Sequence, residues 1–553
     1  MSYWIAQLSV IDTMYVGVSL LRQEVLQENL QKNCEVIALK GFKGGKLVKQ
    51  REWILSVDVG TSSVKATIFN GEVELVHESS SNYPLLQTQS GFVELDPQQV
   101  LEAFYTAIQQ VLSGVTHCPN VLVLSTAMHS LMAIDELNQP ITHLVTWADQ
   151  RAESEARQLR SSTQGKCLYQ KTGTPIHAMS PLVKLAWFRK NEPEICRRAK
   201  LWGDLKSWIL YDLLGEWVID ESLASATGLY NLWTRDWDEE AMGWCGVTRE
   251  QLPRLVKTTD ILGCIRPKLA EKLGLGGNTR IVAGASDGAL ANLGVGAVYP
   301  GSLAISIGTS GAVRGMVNEP KLDSHGRLFC YHLEESYYIV GGPINNGGIL
   351  LSWLQGILLD TEDPVTFYER MSQGVNKVAP GSDGLFCLPY LTGERAPFWR
   401  EDLTGSFWGL KLNHNRDHLV RAVLEGICYQ LNLVVELLAD LSGPVSEIRA
   451  TGGFTKSEVW VKILTDVLGK PLGILEHTQG SALGGAFLAW YALGQINSLE
   501  ECAKLVTLAH VVRPDEASAA RYQDGYTIFK ELVILGDKAS LKIQEFAQKG
   551  ESL

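Results

Sequence analysis

The stretch "WILSVDVGTSSVKATIFN", Trp53 to Asn70, decides how the rest of the chain is read. Ile54–Val57 and Val64–Phe69 are β-rich apolar runs on either side of a Gly-Thr-Ser-Ser turn, the pattern of a hairpin. A tight turn with exposed N–H groups and hydroxyls can hold phosphate oxygens, and glycine lets the backbone approach them closely. Thr61, Ser62 and Ser63 are therefore candidate phosphate contacts, and Lys65 adds positive charge. Asp58 stands beside them, where a bare carboxylate would repel phosphate; it makes sense if it holds Mg2+ through water. The loop G-x-x-x-x-G-K-[ST] is absent. The plain alternative is a hairpin whose Asp caps the turn.

A second stretch, "LAISIGTSGAVRGMV", Leu303 to Val317, repeats strand, Gly-Thr-Ser, strand, but not the acid. The repeat suggests a duplicated fold in which each half grips a ligand from one side, with Gly308, Thr309 and Ser310 as the second set of contacts and a boundary near Tyr299–Gly301. Strand-like and helix-like segments alternate throughout, which favours an α/β architecture. Val121–Leu124 reads as a buried strand. "ASDGALANLGVGAV" reads as a helix packed through small residues.

A chain of 553 residues exceeds one core, so two large domains plus an appendage are expected. The net charge of −12 argues against a general nucleic-acid or anionic-membrane binder, so any anionic ligand needs positive groups gathered locally. Ten cysteines with no C-x-x-C pair read as reduced thiols of a cytoplasmic protein. Tyr3–Leu21 is apolar, but Gln7 and Asp12 interrupt it and no basic residue precedes it, which fits neither a signal peptide nor a membrane span. The following "LKGFKGGKLVKQRE" resembles a linker. Residues 1–52 are read as an accessory extension, or as upstream sequence behind a misassigned start, with the folded part beginning near Glu52 or Trp53.

The two turns resemble those of the sugar kinase, heat-shock chaperone and actin superfamily, in which two related actin-like (ribonuclease H-like) domains flank a cleft and close on ATP. Two longer stretches, "MSPLVKLAWFRKN" from Met179 and "GSFWGLKLNHNRDHLVRAVLE" from Gly405, resemble signatures of its FGGY carbohydrate kinase branch. "ATGGFTKSEVW", Ala450 to Trp460, is similar to that branch's adenosine-side glycine pair. Within the branch, "STAMHSLMAID", "TWADQRAE", "KTGTPIHAMSPL", "VIDESLASATGLYNL", "GGPINNGGILLSWL" and "LTGERAPFWREDLTGSFWGL" look most like gluconate kinases, with xylulokinases as the nearest competitors. An ATPase acting through protein partners is the remote alternative, and the two sugar-kinase stretches argue against it.

The resemblance implies a first domain over 53–299 for sugar and phosphate, a second over 300–535 for nucleotide, and a tail over 536–553. It implies ATP and Mg2+ as cofactors, gluconate or a related sugar as acceptor, and Asp287 as the base. The positive end of the helix that begins there should keep Asp287 ionised. Gly348, Gly453 and Ser457 match nucleotide-holding positions, and Gly452 is assigned to close backbone packing. For the sugar, Met128 and His129 follow a buried strand. Trp147, Asp149 and Arg151 sit at alternate positions and, if extended, share one face. Arg151 would then pair with a carboxylate on the sugar. His177 is a further candidate. Glu394 and Arg395 carry no assigned role. Related kinases are often homodimers, which leaves a homodimer open.

Overall fold

The computed structural model describes residues 51–358, 371–476 and 480–550. Most of the extension proposed over 1–52 lies outside them. Two sheets organise the chain. The first is built from β1 (Ile54–Val59), β2 (Ser63–Phe69), β3 (Leu75–Asn82), β4 (Val121–Thr126), β5 (Ile261–Cys264) and β6 (Arg280–Ser286), in the order β5-β6-β4-β1-β2-β3. The second contains β7 (Ser302–Ile307), β8 (Gly311–Val317), β9 (Phe329–Glu334), β10 (Tyr337–Ile344), β11 (Glu447–Thr451), β12 (Leu472–Leu475) and β13 (Leu508–Val512), in the order β9-β10-β8-β7-β11-β12-β13.

The duplication read from the two turns is visible in this topology. In the first sheet β1 pairs antiparallel with β2 and β2 with β3, while β1, β4 and β6 run parallel. In the second, β7 pairs antiparallel with β8 and β8 with β10, while β7, β11 and β12 run parallel. Both hairpins lie at the centre of their sheets. That is why their residues are apolar on both faces rather than alternating: every position of β1 except Asp58 is buried.

Helices cover the sheets. Of them, α1 (Pro97–Ser113) starts at the Asp96 cap, which accepts hydrogen bonds from the N–H groups of Gln98 and Gln99, and buries Val100, Phe104, Ala107 and Ile108. The first FGGY-like stretch forms α2 (Pro181–Asn191). The second runs through a short strand into α3, introduced by the Asn415 cap and spanning Arg416–Ser442. This helix is long and apolar enough to cross a membrane by length and composition, but it is mostly buried inside the second lobe. Its Glu425 is enclosed by Arg421 Nε (2.8 Å), Gly381 N (2.9 Å), Ser382 Oγ (2.9 Å) and Tyr522 Oη (2.8 Å), so the polar residues of that stretch serve the fold.

The lobes join where the helix Asp287–Gly294, which follows β6, packs on the helix Gly480–Ala492, which follows β12. A Cβ on Gly294 would lie 1.8 Å from the Gly480 carbonyl oxygen, and one on Gly484 would lie 1.8 Å from that of Leu290. The small residues therefore set the helix–helix distance.

Two expected boundaries move. Arg51 and Glu52, placed with the extension, already belong to the fold: Arg51 Nε donates to Gly71 O (2.7 Å), and Trp490 Nε1 donates to Glu52 O (2.8 Å). The tail expected from 536 is not separate either. The last helix runs unbroken over Glu516–Gly550, and beyond residue 535 it holds the second lobe through the Asp537–Arg400 ion pair and the Ser540–Thr404 hydrogen bonds.

Candidate active site

Two cavities meet at the turn between β7 and β8. One, of about 310 Å³, is lined by Thr61, Met128, His129, Trp147, Asp287 and Ser310, among others. The other, of about 600 Å³, is lined by Gly348, Ile349, Gly453, Phe454, Ser457 and Trp460 among others. Gly308 and Thr309 line both. A molecule in the first cavity and one in the second would touch across these two residues.

Asp287 reaches the smaller cavity because β6 bulges between Val282 and Ala285, where Gly284 takes φ +76° and a Cβ would meet Leu124 O at 1.8 Å. Ser286 caps the following helix, and Asp287 is its first residue, accepting from Gly288 N at 2.6 Å. This carboxyl does not stay at its ordinary value. Burial, followed by the negative charge of Asp58, pushes it up to about 6, against the opposing pull of Arg314 and the Gly288 N–H. A carboxyl near 6 is still largely ionised at neutral pH and suits a base better than a weakly basic one would.

Asp58 lines neither cavity. Its oxygens accept from Ser125 Oγ (2.5 Å) and Ser481 Oγ (2.7 Å), and burial raises its carboxyl above the usual range. No cluster of three or more His, Cys, Asp or Glu side chains suited to a metal occurs among the described residues. The donor set thus suits Mg2+ carried in with phosphates and water, which needs one or two protein carboxylates, rather than a resident ion. Asp58 raises the Asp287 carboxyl, and a cation beside the two would offset that repulsion.

The sugar candidates divide. Trp147 lines the smaller cavity, with Nε1 donating to Thr61 Oγ1 at 2.8 Å. Met128 and His129 line it too. His129 has φ +67°, uncommon for a residue with a Cβ, and the strain is held from two sides: its ring Nδ1 bonds Ala226 O at 2.8 Å, and Lys184 Nζ donates to its carbonyl at 2.6 Å. Burial and the charge of Lys184 push the imidazole down to about 3, so it is neutral, with the proton on Nδ1 and Nε2 left as an acceptor.

Asp149 and Arg151 do not share the Trp147 face. Asp149 is buried and accepts from Val93 N (2.7 Å) and Arg151 Nε (2.8 Å). Arg151 also bonds Glu94 at 2.5 Å, lies 4.0 Å over the Phe92 ring, and lines a different cavity of about 740 Å³. The segment turns instead of extending, and two carboxylates already neutralise the guanidinium. His177 lies against Glu401 (2.6 Å) and the edge of Trp399, outside the smaller cavity.

Of the phosphate candidates, Gly308 and Thr309 sit at the junction, and Thr61 and Ser310 line the smaller cavity; Ser62, Ser63 and Lys65 line neither. Gly348, Gly453 and Ser457 all line the larger one. The neighbouring glycines of the 452–453 pair do different things. Gly452 has φ +104° and a Cβ would strike Ile307 O at 2.4 Å, which is the close packing expected of it, whereas Gly453 has open space where its Cβ would be.

Sequence reading missed Arg314, Tyr331 and Arg395, all of which line the smaller cavity. A signal existed for Arg314, a lone charge inside the apolar run "GAVRGMV". For Arg395 the signal was its place in "LTGERAPFWREDLTGSFWGL", a stretch rich in turn residues, aromatics and charges; its position over Trp147, 248 residues away, is set by tertiary packing.

Comparison with known proteins follows the same lines. Residues 53–294 match the N-terminal domain, and residues 303–493 the C-terminal domain, of the FGGY family of carbohydrate kinases. The chain is 39% identical over 509 residues to a gluconokinase of Bacillus subtilis, covering 90% of this chain and 98% of that one. It is 28% identical over 487 residues to a xylulose kinase of the same organism, covering 87% and 96%. Among solved structures it resembles a gluconate kinase from Lactobacillus acidophilus, with a TM-score of 0.83, 33% identity and coverage of 87% and 97%. A ligand-bound xylulose kinase from Lactobacillus acidophilus gives a TM-score of 0.85 at 33% identity, covering 89% and 99%.

Proposed function

The chain belongs to the FGGY family of carbohydrate kinases, and from that premise we propose that it transfers the γ-phosphoryl group of MgATP to the terminal hydroxyl of D-gluconate, giving 6-phosphogluconate and ADP. The observation that supports the geometry is the sharing of Gly308 and Thr309 by the two cavities. ATP in the larger cavity, its adenosine side against Gly453 and Ser457, would present its γ-phosphate at that turn. The sugar in the smaller cavity would present its hydroxyl from the Asp287 side.

In this reading Asp287 accepts the proton as the hydroxyl oxygen bonds to phosphorus and the bond to the β-phosphate oxygen breaks. Backbone N–H groups and hydroxyls at the Gly308–Ser310 turn would hold the transferring phosphate, and Asp58 would hold the magnesium of MgATP through water, where the ion would supply countercharge. His129, Trp147 and Thr61 position the acceptor. Closure of the lobes about the glycine-packed helix pair would exclude water and limit hydrolysis of ATP.

A xylulose acceptor is the second reading, favoured by the likeness to the ligand-bound xylulose kinase. A coupled ADP-release assay with gluconate, xylulose, ribulose and glycerol in parallel separates the two. Gluconate should give the highest kcat/KM, and a strong preference for a neutral sugar would end the gluconate assignment.

A further inference from the structure

The smaller cavity carries more positive charge than a neutral sugar needs. Its lining holds one carboxylate, Asp287, and two guanidinium groups, Arg314 and Arg395. His129 is neutral there.

Both arginines are held by neutral oxygens. Arg395 is 8% exposed, and its Nε donates to Asn345 Oδ1 (2.7 Å) and its Nη2 to Ile344 O (3.1 Å). Its guanidinium lies 4.8 Å over the Trp147 ring. Arg314 Nη1 donates to Ser306 Oγ at 3.3 Å, and its buried Nε has no hydrogen-bond partner among the described residues. Neither makes an ion pair with a carboxylate within 4.0 Å among the described residues; Glu394 and Glu401 act on Arg395, and Asp287 on Arg314, from farther away. Neutral acceptors fix the direction of a guanidinium fork without cancelling its charge. The fork is then left for an anion, which it binds through paired N–H donors. Tyr331 Oη, also buried in this wall and without a hydrogen-bond partner among the described residues, is a further donor.

Two sites on a substrate could meet these groups: a transferring phosphate, or an anionic end of the acceptor. Neither arginine lines the larger cavity, where the nucleotide phosphates enter. At Arg395 the pull of Glu394 and Glu401 is opposed by the positive charge of Arg314, a repulsion that an anion between the two guanidinium groups would relieve.

We infer that Arg395 and Arg314 form a carboxylate subsite that selects a sugar acid over a neutral sugar at this acceptor cavity. This inference rests on the gluconate reading above and assigns to Arg395 and Arg314 the part that Arg151, neutralised by Asp149 and Glu94, is not placed to play.

The test compares D-gluconate with D-gluconamide, which keeps every carbon and hydroxyl and lacks the charge, in the wild-type enzyme and in Arg395→Gln, Arg395→Lys, Arg314→Gln and Arg314→Lys. The wild type should favour gluconate in kcat/KM by about tenfold to a hundredfold, the range for a hydrogen-bonded charge pair. Each Gln variant should lose most of that preference through a higher KM for gluconate. Its loss on gluconate should exceed its loss on gluconamide, which also falls because Arg314 acts on Asp287 and Arg395 packs on Trp147, and its KM for MgATP should not change. The Lys variants should keep part of the preference, and they serve if a Gln variant fails to fold. Preference retained in the variants, equal loss on both acceptors, or a raised KM for MgATP would overturn the inference while leaving gluconate phosphorylation intact. A wild type that phosphorylates gluconamide as well as gluconate would also overturn it. A wild type inert toward gluconate would overturn the function itself, and this subsite with it.

Discussion

Trp147 of the first lobe carries the guanidinium of Arg395 of the second on its ring face, 4.8 Å from the centroid, while its indole N–H is tied to Thr61 at 2.8 Å. One aromatic side chain thus links the first hairpin turn, the smaller cavity and a loop of the opposite lobe. A cation on a tryptophan face is attracted by the ring quadrupole, and the pair is stronger when shielded from water. Lobe closure and acceptor binding are therefore expected to be coupled through this contact.

Asp287→Ala should fold and bind nucleotide but lose about a hundredfold to ten-thousandfold in turnover, the range for a general base. Near-normal turnover would remove Asp287 from the chemistry.

The pH profile carries a sign. Because burial and Asp58 push Asp287 up to about 6, the basic form is lost as pH falls through about 6, and kcat/KM should drop on that acid limb. Asp58→Asn removes the charge that raises it, so the limb of the residual activity should move to lower pH. A limb that stays in place, or moves up, would contradict the coupling.

Gly452 and Gly453 should separate stability from binding. Gly452→Ala places a Cβ 2.4 Å from the Ile307 carbonyl at φ +104° and should lower stability by about 1–3 kcal/mol. Gly453→Ala adds a Cβ with no protein atom within 4 Å and should unfold normally, yet narrow the larger cavity and raise the KM for ATP. Denaturation curves and ATP titrations on the two variants check this.

Lys184 is fully buried, with Nζ donating to the carbonyls of His129 (2.6 Å) and Thr146 (2.7 Å). Lys184→Met should orphan both acceptors, cost on the order of 2 kcal/mol, and raise the KM for the sugar while leaving that for ATP unchanged. Burial pushes this amine down to about 7. Between about pH 7 and the ordinary value of 10.5 the unfolded chain binds more protons than the folded one, so wild-type stability should rise with pH across that window. Lys184→Met should lack that rise in chemical-denaturation series.

Gly484→Ala should press a methyl group into the Leu290 carbonyl, 1.8 Å away, and force the two junction helices apart. A lower Tm together with reduced kcat is expected if lobe closure turns about this helix pair as proposed. Unchanged Tm and kcat would show that the glycine contact does not set the lobe spacing.

The sequence by itself determined the two hairpins, their place in an α/β fold and the family, because a central strand buried on both faces must be continuously apolar and a phosphate-sized turn must be small and polar. It also pointed to Asp287, Trp147, His129 and the glycines of the larger cavity, since these belong to short local patterns. The direction of Arg151 was beyond it: alternate spacing predicts a shared face only for an extended chain, and this segment turns back on Asp149 and Glu94. The raised carboxyl of Asp287 was decided by depth of burial and a neighbour 229 positions away in the chain. The tertiary structure alone decided that Arg314 and Arg395 face one cavity, because only packing within the second lobe brings β8 and a loop some eighty residues further on together, with neutral oxygens as their hydrogen-bond acceptors among the described residues.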